Sequence, residues 1–233
     1  MGNDSVMRIA GLLIPLRETF EVLAELDAVY ASFAERATAY AASGQNPHLC
    51  RAGCSHCCKS GAVFAVTLVE AFRWALAVDA LPLAGRQQAH LEASKLLERQ
   101  HAVFAEVEGP ADLPGERDEM LFSARLSRLN TTHPACPLLV DDLCSVYESR
   151  PLLCRAYGFP VDAYAVESHD AIVFRSLCVL YEGLQLTDYL RAKDVKSRLT
   201  DLSRRLAGGT HWGRFTSPEA ILASIEPTTA VHH

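Results

Sequence analysis

Between residues 12 and 42 the apolar positions Leu16, Phe20, Leu23, Tyr30, Phe33, Ala37 and Tyr40 recur at spacings of three and four, interrupted only at Asp27. That period predicts one amphipathic helix over 12–42, stopped by Ser43-Gly44 and Asn46-Pro47. Thr67-x-x-Glu70 has the form of a capping box and predicts a helix running through Val78 and closing before Pro82. A second helical stretch is expected over 86–107, with Ala89, Ala93, Leu96 and Phe104 on its apolar side, and a short one over 120–129. Between them, GPADLPGERDE at 109–119 reads as a surface loop.

Further along, CPLLVDDLCSVY at 136–147 sets two apolar runs around Asp141-Asp142, which predicts a small hairpin. Residues 148–157 read as a helical turn that tolerates Pro151 near its start, and 158–180 as irregular or weakly extended. Leu184, Leu186, Leu190, Val195, Leu199, Leu202 and Leu206 predict a long helix over 181–207, ended by Gly208-Gly209. Ser217-Pro218-Glu219 is expected to cap a last short helix reaching Ile225. The expected fold is mainly α: an irregular helical domain with a small β-hairpin and cysteine-rich loops forming a metal site. One domain is expected over 1–233, with a cysteine core at 48–180 flanked by helices at 12–42 and 181–226.

Composition narrows the function. A chain of 233 residues, 49% hydrophobic and 21% charged, can bury a core and is not a disordered segment. Its 22 Lys+Arg against 28 Asp+Glu leave no positive excess to neutralise phosphates, so no nucleic-acid partner is expected. No run of about 18–20 apolar residues predicts a membrane span. The apolar run at 9–16 is too short, and too closely followed by Arg17-Glu18, for an export signal, and Val6 stands where a myristoylation signal wants Ser or Thr. A cytoplasmic location is expected, where thiols stay reduced.

Eight cysteines therefore call for chemistry other than disulfides. Four read Cys50-x3-Cys54-x2-Cys57-Cys58, and four read Cys136-x7-Cys144-x9-Cys154-x23-Cys178. Spacings of two and three place successive sulfurs on one tight turn facing a common point. Adjacent Cys57 and Cys58 cannot bridge each other without strain, because their Cα atoms are only ~3.8 Å apart. All-thiolate sites suit Zn²⁺ and iron–sulfur clusters, whereas Mg²⁺ and Ca²⁺ prefer oxygen. The spacing is neither the ferredoxin run nor the paired zinc ribbon, so zinc and iron both stay open. Cys54, Cys57, Cys58, Cys136, Cys144 and Cys154 are the leading ligand candidates, followed by Cys50 and Cys178; Cys178, in the apolar run FRSLCVLY, also reads as a core residue. His56 and His133 read as polar neighbours of the thiols, with imidazole ligation as the alternative. Arg150 and Arg155 are expected to pair with Asp141, Asp142 or Glu148, the alternative being that they offset thiolate charge.

The strings C-x3-C-x2-CC, CPLL and CSVYESRPLLCRAYG, followed by Cys178, resemble the YkgJ-like cysteine-cluster family, and all eight cysteines fall on that pattern. The resemblance covers residues 50–178 and implies chelation of zinc or iron by these cysteines. Some flagellin lysine methylases carry a similar block, which makes an iron–sulfur cluster of the 4Fe-4S type attractive beside zinc. Cys50-x3-Cys54-x2-Cys57 also has the spacing of the radical-SAM motif. His56 stands where that motif usually has an aromatic, however, and the chain lacks the strand–helix alternation of such a barrel. Metal binding through clustered cysteines is the expected function. An iron–sulfur-dependent protein-modifying enzyme and a metal-free thiol redox protein are the alternatives, and no residue pattern names a catalytic group, a substrate or a protein partner.

Overall fold

The computed structural model describes residues 5–44, 53–59, 63–114, 117, 119–132, 134–167, 172–175, 178 and 188–227. The first apolar stretch is not helical. Strands β1 (Ser5–Ile9) and β2 (Leu12–Leu16) form an antiparallel hairpin joined by Ala10-Gly11, both at positive φ (49° and 80°). Ile14 and Leu16 face the core while Leu13 is exposed, the period-two alternation of a half-buried strand. Pro15 is tolerated because β2 is an edge strand: β1 pairs on its other side with residues 224–227. Helix α1 (Thr19–Ser43) starts only after this hairpin and ends at Gly44, whose φ of 69° suits a glycine C-cap.

Three helices fall where the sequence predicts them: α3 (Leu68–Asp79), α4 (Leu83–Glu106) and α5 (Glu119–Asn130). The α3 capping box is complete: Thr67 N donates to Glu70 Oε2 at 2.8 Å and Glu70 N to Thr67 Oγ1 at 3.4 Å. Asp27, the break in the α1 stripe, pairs with Arg73 of α3 at 2.8 Å.

The C-terminal third departs from expectation twice. Helix α7 is Lys193–Leu206, shorter than the predicted 181–207. Asp162 Oδ1 accepts from Ala192 N (2.6 Å) and Lys193 N (2.9 Å), so a distant carboxylate caps the helix there. Leu190 meanwhile bridges to Val161, and Leu184 and Leu186 lie outside the described residues. The final helix α8 is only Ser217–Ile221, and Ile225 belongs instead to β9 (Ser224–Pro227), opposite Met7. The weakly extended region holds a hairpin, β6 (Val161–Glu167) with β7 (Ile172–Arg175). A short pair, β3 (Ala65–Val66) with β8 (Phe215–Thr216), ties the start of α3 to α8.

Helix α3 lies at the centre, touching α1, α4, α7, α8 and β9. Its Phe72 and Trp74 are 1% exposed, worth about 1.5–3 kcal/mol of burial for a residue such as Phe72. The main apolar cluster draws on both ends of the chain, from Met7 to Ala223, and a smaller one with Leu96, Phe104 and Phe122 fills the space between α4 and α5. Among the described residues, no helix is long and apolar enough to cross a membrane.

Candidate metal centre

The first cysteine group sits on a turn into α2 (His56–Lys59), entered through Gly53 at φ 82°, a left-handed conformation that glycine takes without strain. The second begins on the predicted hairpin, β4 (Leu139–Val140) with β5 (Leu143–Cys144). Its two-residue turn holds Asp141 at φ 49° and Asp142 at φ 63°, positions that Asp tolerates better than most side chains. A 3₁₀ turn (Tyr147–Ser149) and the short helix α6 (Leu152–Ala156) follow, the latter carrying Cys154. Glu70 sets the start of α6: its Oε1 accepts from Leu152 N at 2.8 Å and from Tyr30 Oη at 3.1 Å.

Direct bonds join the two cysteine groups. Cys136 N donates to Cys58 O at 2.7 Å. Asp142 at the hairpin tip accepts from Ser55 Oγ at 2.8 Å and pairs with Lys59. Seventy-seven residues lie between Cys58 and Cys136, so these contacts close a long helical excursion, and such closure costs more chain entropy as the loop grows. Cys54, Cys57, Cys58, Cys136, Cys144, Cys154 and Cys178 line one cavity of about 70 Å³, with Trp74, Tyr147, Arg150 and Tyr157 beside them. None of the seven forms a disulfide; six are half-buried, and Cys178 is 6% exposed. Cys178 is thus both buried, as its apolar run suggested, and on the cavity wall. Cys50 and His133 lie outside the described residues, and exposed His56 stands at the cavity's edge. Among the described residues, no three cysteine, histidine or carboxylate groups already stand around one point as the ligands of a single ion do; the thiols surround a space instead.

Their electrostatics fit a cation. Burial pushes Cys136 up to about 12, with Cys144 and Cys57 adding to the shift. Burial also holds Cys154 well above the ordinary thiol value, and raises Cys144. Cys57 is raised first by its contact with Cys58, Sγ to Sγ 3.8 Å, and then by burial. Burial first, and the neighbouring thiols second, oppose ionisation of Cys136 and Cys154, and a bound metal ion would offset both.

Arg150 and Arg155 are placed differently from expectation. Arg150 Nε donates to Tyr147 O at 2.9 Å and its guanidinium stacks on the Tyr147 ring, 3.4 Å from the centroid. Arg155 donates to the carbonyls of Arg150 (2.7 Å) and Glu148 and lies over the Tyr30 ring. The carboxylate of Asp142 goes to Lys59 instead, because the hairpin tip faces α2. The positive charge of Arg150 favours ionised Cys144 and Cys154, which is the charge-offsetting role. Trp74 and Tyr157 are cavity residues that no sequence signal singled out, since each reads only as an aromatic in an apolar stretch.

Fold and site together define a helical protein organised around a thiol-lined cavity. Residues 49–179, more than half of the chain and holding all eight cysteines, match the CxxCxxCC family, described as a candidate zinc- or iron-chelating domain. The chain belongs to that family, the one its cysteine pattern resembles. No curated protein and no solved structure matches it.

Proposed function

We propose that this chain, acting as one domain in the cytoplasm, holds zinc or an iron–sulfur cluster through its clustered cysteines, as a structural or electron-carrying centre. The observation that carries this reading is the gathering of thiols from both cysteine groups onto one cavity. Cys54, Cys57, Cys58, Cys136, Cys144, Cys154 and Cys178, which share the cavity, form the pool of ligands together with Cys50. When bound, zinc supplies a rigid cross-link between the two groups, and a cluster supplies one-electron chemistry. The Cys57 and Cys58 sulfurs lie 3.8 Å apart, close enough for both to serve one metal centre. A metal-free thiol redox role is disfavoured by the same raised thiols, because the reactive form of cysteine is the thiolate.

The test is purification of the full chain without oxygen, followed by a visible spectrum and assay of iron, zinc and acid-labile sulfide per chain. Stoichiometric zinc, or iron with sulfide and a brown colour, is the expected result. Metal-free protein with eight titratable thiols overturns the proposal.

A further inference from the structure

Trp74 on α3 is 1% exposed, and its indole Nε1 finds no acceptor among the described residues. Buried indole N–H groups ordinarily have a partner, because leaving such a donor unmade forfeits its hydration. Five other buried side-chain atoms share this condition: Thr19 Oγ1, Arg36 Nε, Gln100 Oε1, Arg125 Nε and Thr216 Oγ1. None of those residues lines the thiol cavity; Trp74 does. Its ring is fixed edge-on against Phe64, with centroids 5.8 Å apart and planes at 68°, so its orientation is set by packing within the core.

The lining of the cavity narrows what the indole can meet. Asp142, the carboxylate on the wall, is already engaged by Ser55 and Lys59. Seven cysteine sulfurs make up the largest group of polar side chains on the remaining wall, beside the Tyr147 and Tyr157 hydroxyls and His56. A neutral thiol is a weak acceptor, whereas a metal-bound thiolate or sulfide carries negative charge and accepts well. Indole offers a donor and nothing else, so it cannot act as a ligand or a base.

We infer that the indole N–H of Trp74 donates a hydrogen bond to sulfur of the metal centre. Trp74 is thereby a positioning residue: it lowers the charge on one sulfur and fixes that sulfur's direction. This rests on the metal-binding reading above. It adds to that reading a residue outside the cysteine pattern, contributed by the central helix of the fold.

The chain has two tryptophans, Trp74 and Trp212, so its indole resonances can be assigned with a single variant, Trp212→Phe. The experiment compares ¹⁵N-labelled full-length chain, metal-free and loaded anaerobically with zinc, by ¹H–¹⁵N correlation. The Trp74 Nε1–H resonance is expected to move downfield and to exchange with water more slowly on loading, while that of Trp212 stays in place. Trp74→Phe is expected to retain metal stoichiometry but weaken affinity about 10–100-fold, the usual effect of losing a hydrogen bond to a ligand. An unmoved Trp74 resonance in chain that has bound zinc fully overturns this inference and leaves the metal-binding reading standing. Chain that takes up neither zinc nor, on anaerobic reconstitution, iron with sulfide overturns both.

Discussion

Replacing Glu70 with Gln tests how the helical core holds the second cysteine group. The carboxylate is 6% exposed and uses both oxygens: Oε2 accepts from Thr67 N and Thr67 Oγ1, each at 2.8 Å, and Oε1 from Leu152 N and Tyr30 Oη. An amide of the same shape has one oxygen and one NH₂. Whichever way it turns, a buried backbone N–H, of Thr67 or of Leu152, faces another donor. A lost hydrogen bond to a charged group is worth about 1.5–3 kcal/mol, and the repelled donor is left buried, so Glu70→Gln should cost about 2–4 kcal/mol. Glu70→Ala, which strips the acceptor from both N–H groups, should cost about 3–5 kcal/mol on the same scale. Urea denaturation of the reduced chain, followed by tryptophan fluorescence, measures both. Because Leu152 opens α6 and Cys154 lies on that helix, the metal affinity of Glu70→Gln should fall with its stability. A Glu70→Gln chain within about 0.5 kcal/mol of the parent, a change typical of plain surface substitutions, would refute the reasoning.

Three further outcomes follow from the same geometry. Hydrogen bonds from Lys59 and Ser55 hold the Asp142 carboxyl below its ordinary value of 3.8. The docking it provides is therefore present above that value and lost as pH falls below it, and Asp142→Asn should abolish this acid step in hairpin amide exchange. The raised thiols work in the opposite direction. Their contribution to the metal-free chain is intact below the ordinary thiol value of 9.0 and declines as pH rises past it, so the metal-free chain should lose urea resistance above pH 9 while the loaded chain does not. Arg117→Ala should destabilise by about 3–5 kcal/mol in the same denaturation assay, because the guanidinium is 2% exposed between Glu219 (2.6 Å) and Asp112 (2.7 Å), and its loss leaves the buried Glu219 carboxylate without its cation.

Local signals were legible in the sequence wherever one segment satisfies itself. The Thr67–Glu70 box marked the start of α3, the apolar side of 86–107 marked α4, and Asp141-Asp142 marked the hairpin. What escaped was decided by distant partners. The 5–16 hairpin turns at Ala10-Gly11 rather than at an Asn-Gly or Asp-Gly pair, and β1 is paired on its other side by β9, more than 200 residues away, so LLIPL blended into the helical stripe that follows. Helix α7 starts at 193 because Asp162 caps it from another element. The cysteine pattern announced the chemistry and the family. It could not show that the Cys136 amide meets the Cys58 carbonyl, nor that Trp74 borders the thiols, since both depend on how α3 packs.

In the proposed function, sulfur from the two cysteine groups binds one metal centre. X-ray absorption at the edge of whichever metal the anaerobic chain contains tests it most directly. A nearest-neighbour shell of sulfur at about 2.3 Å is expected, lost or depleted in a Cys57→Ser, Cys154→Ser chain that still folds. A shell of nitrogen and oxygen at about 2.0–2.2 Å, or a sulfur shell indifferent to those substitutions, would contradict it.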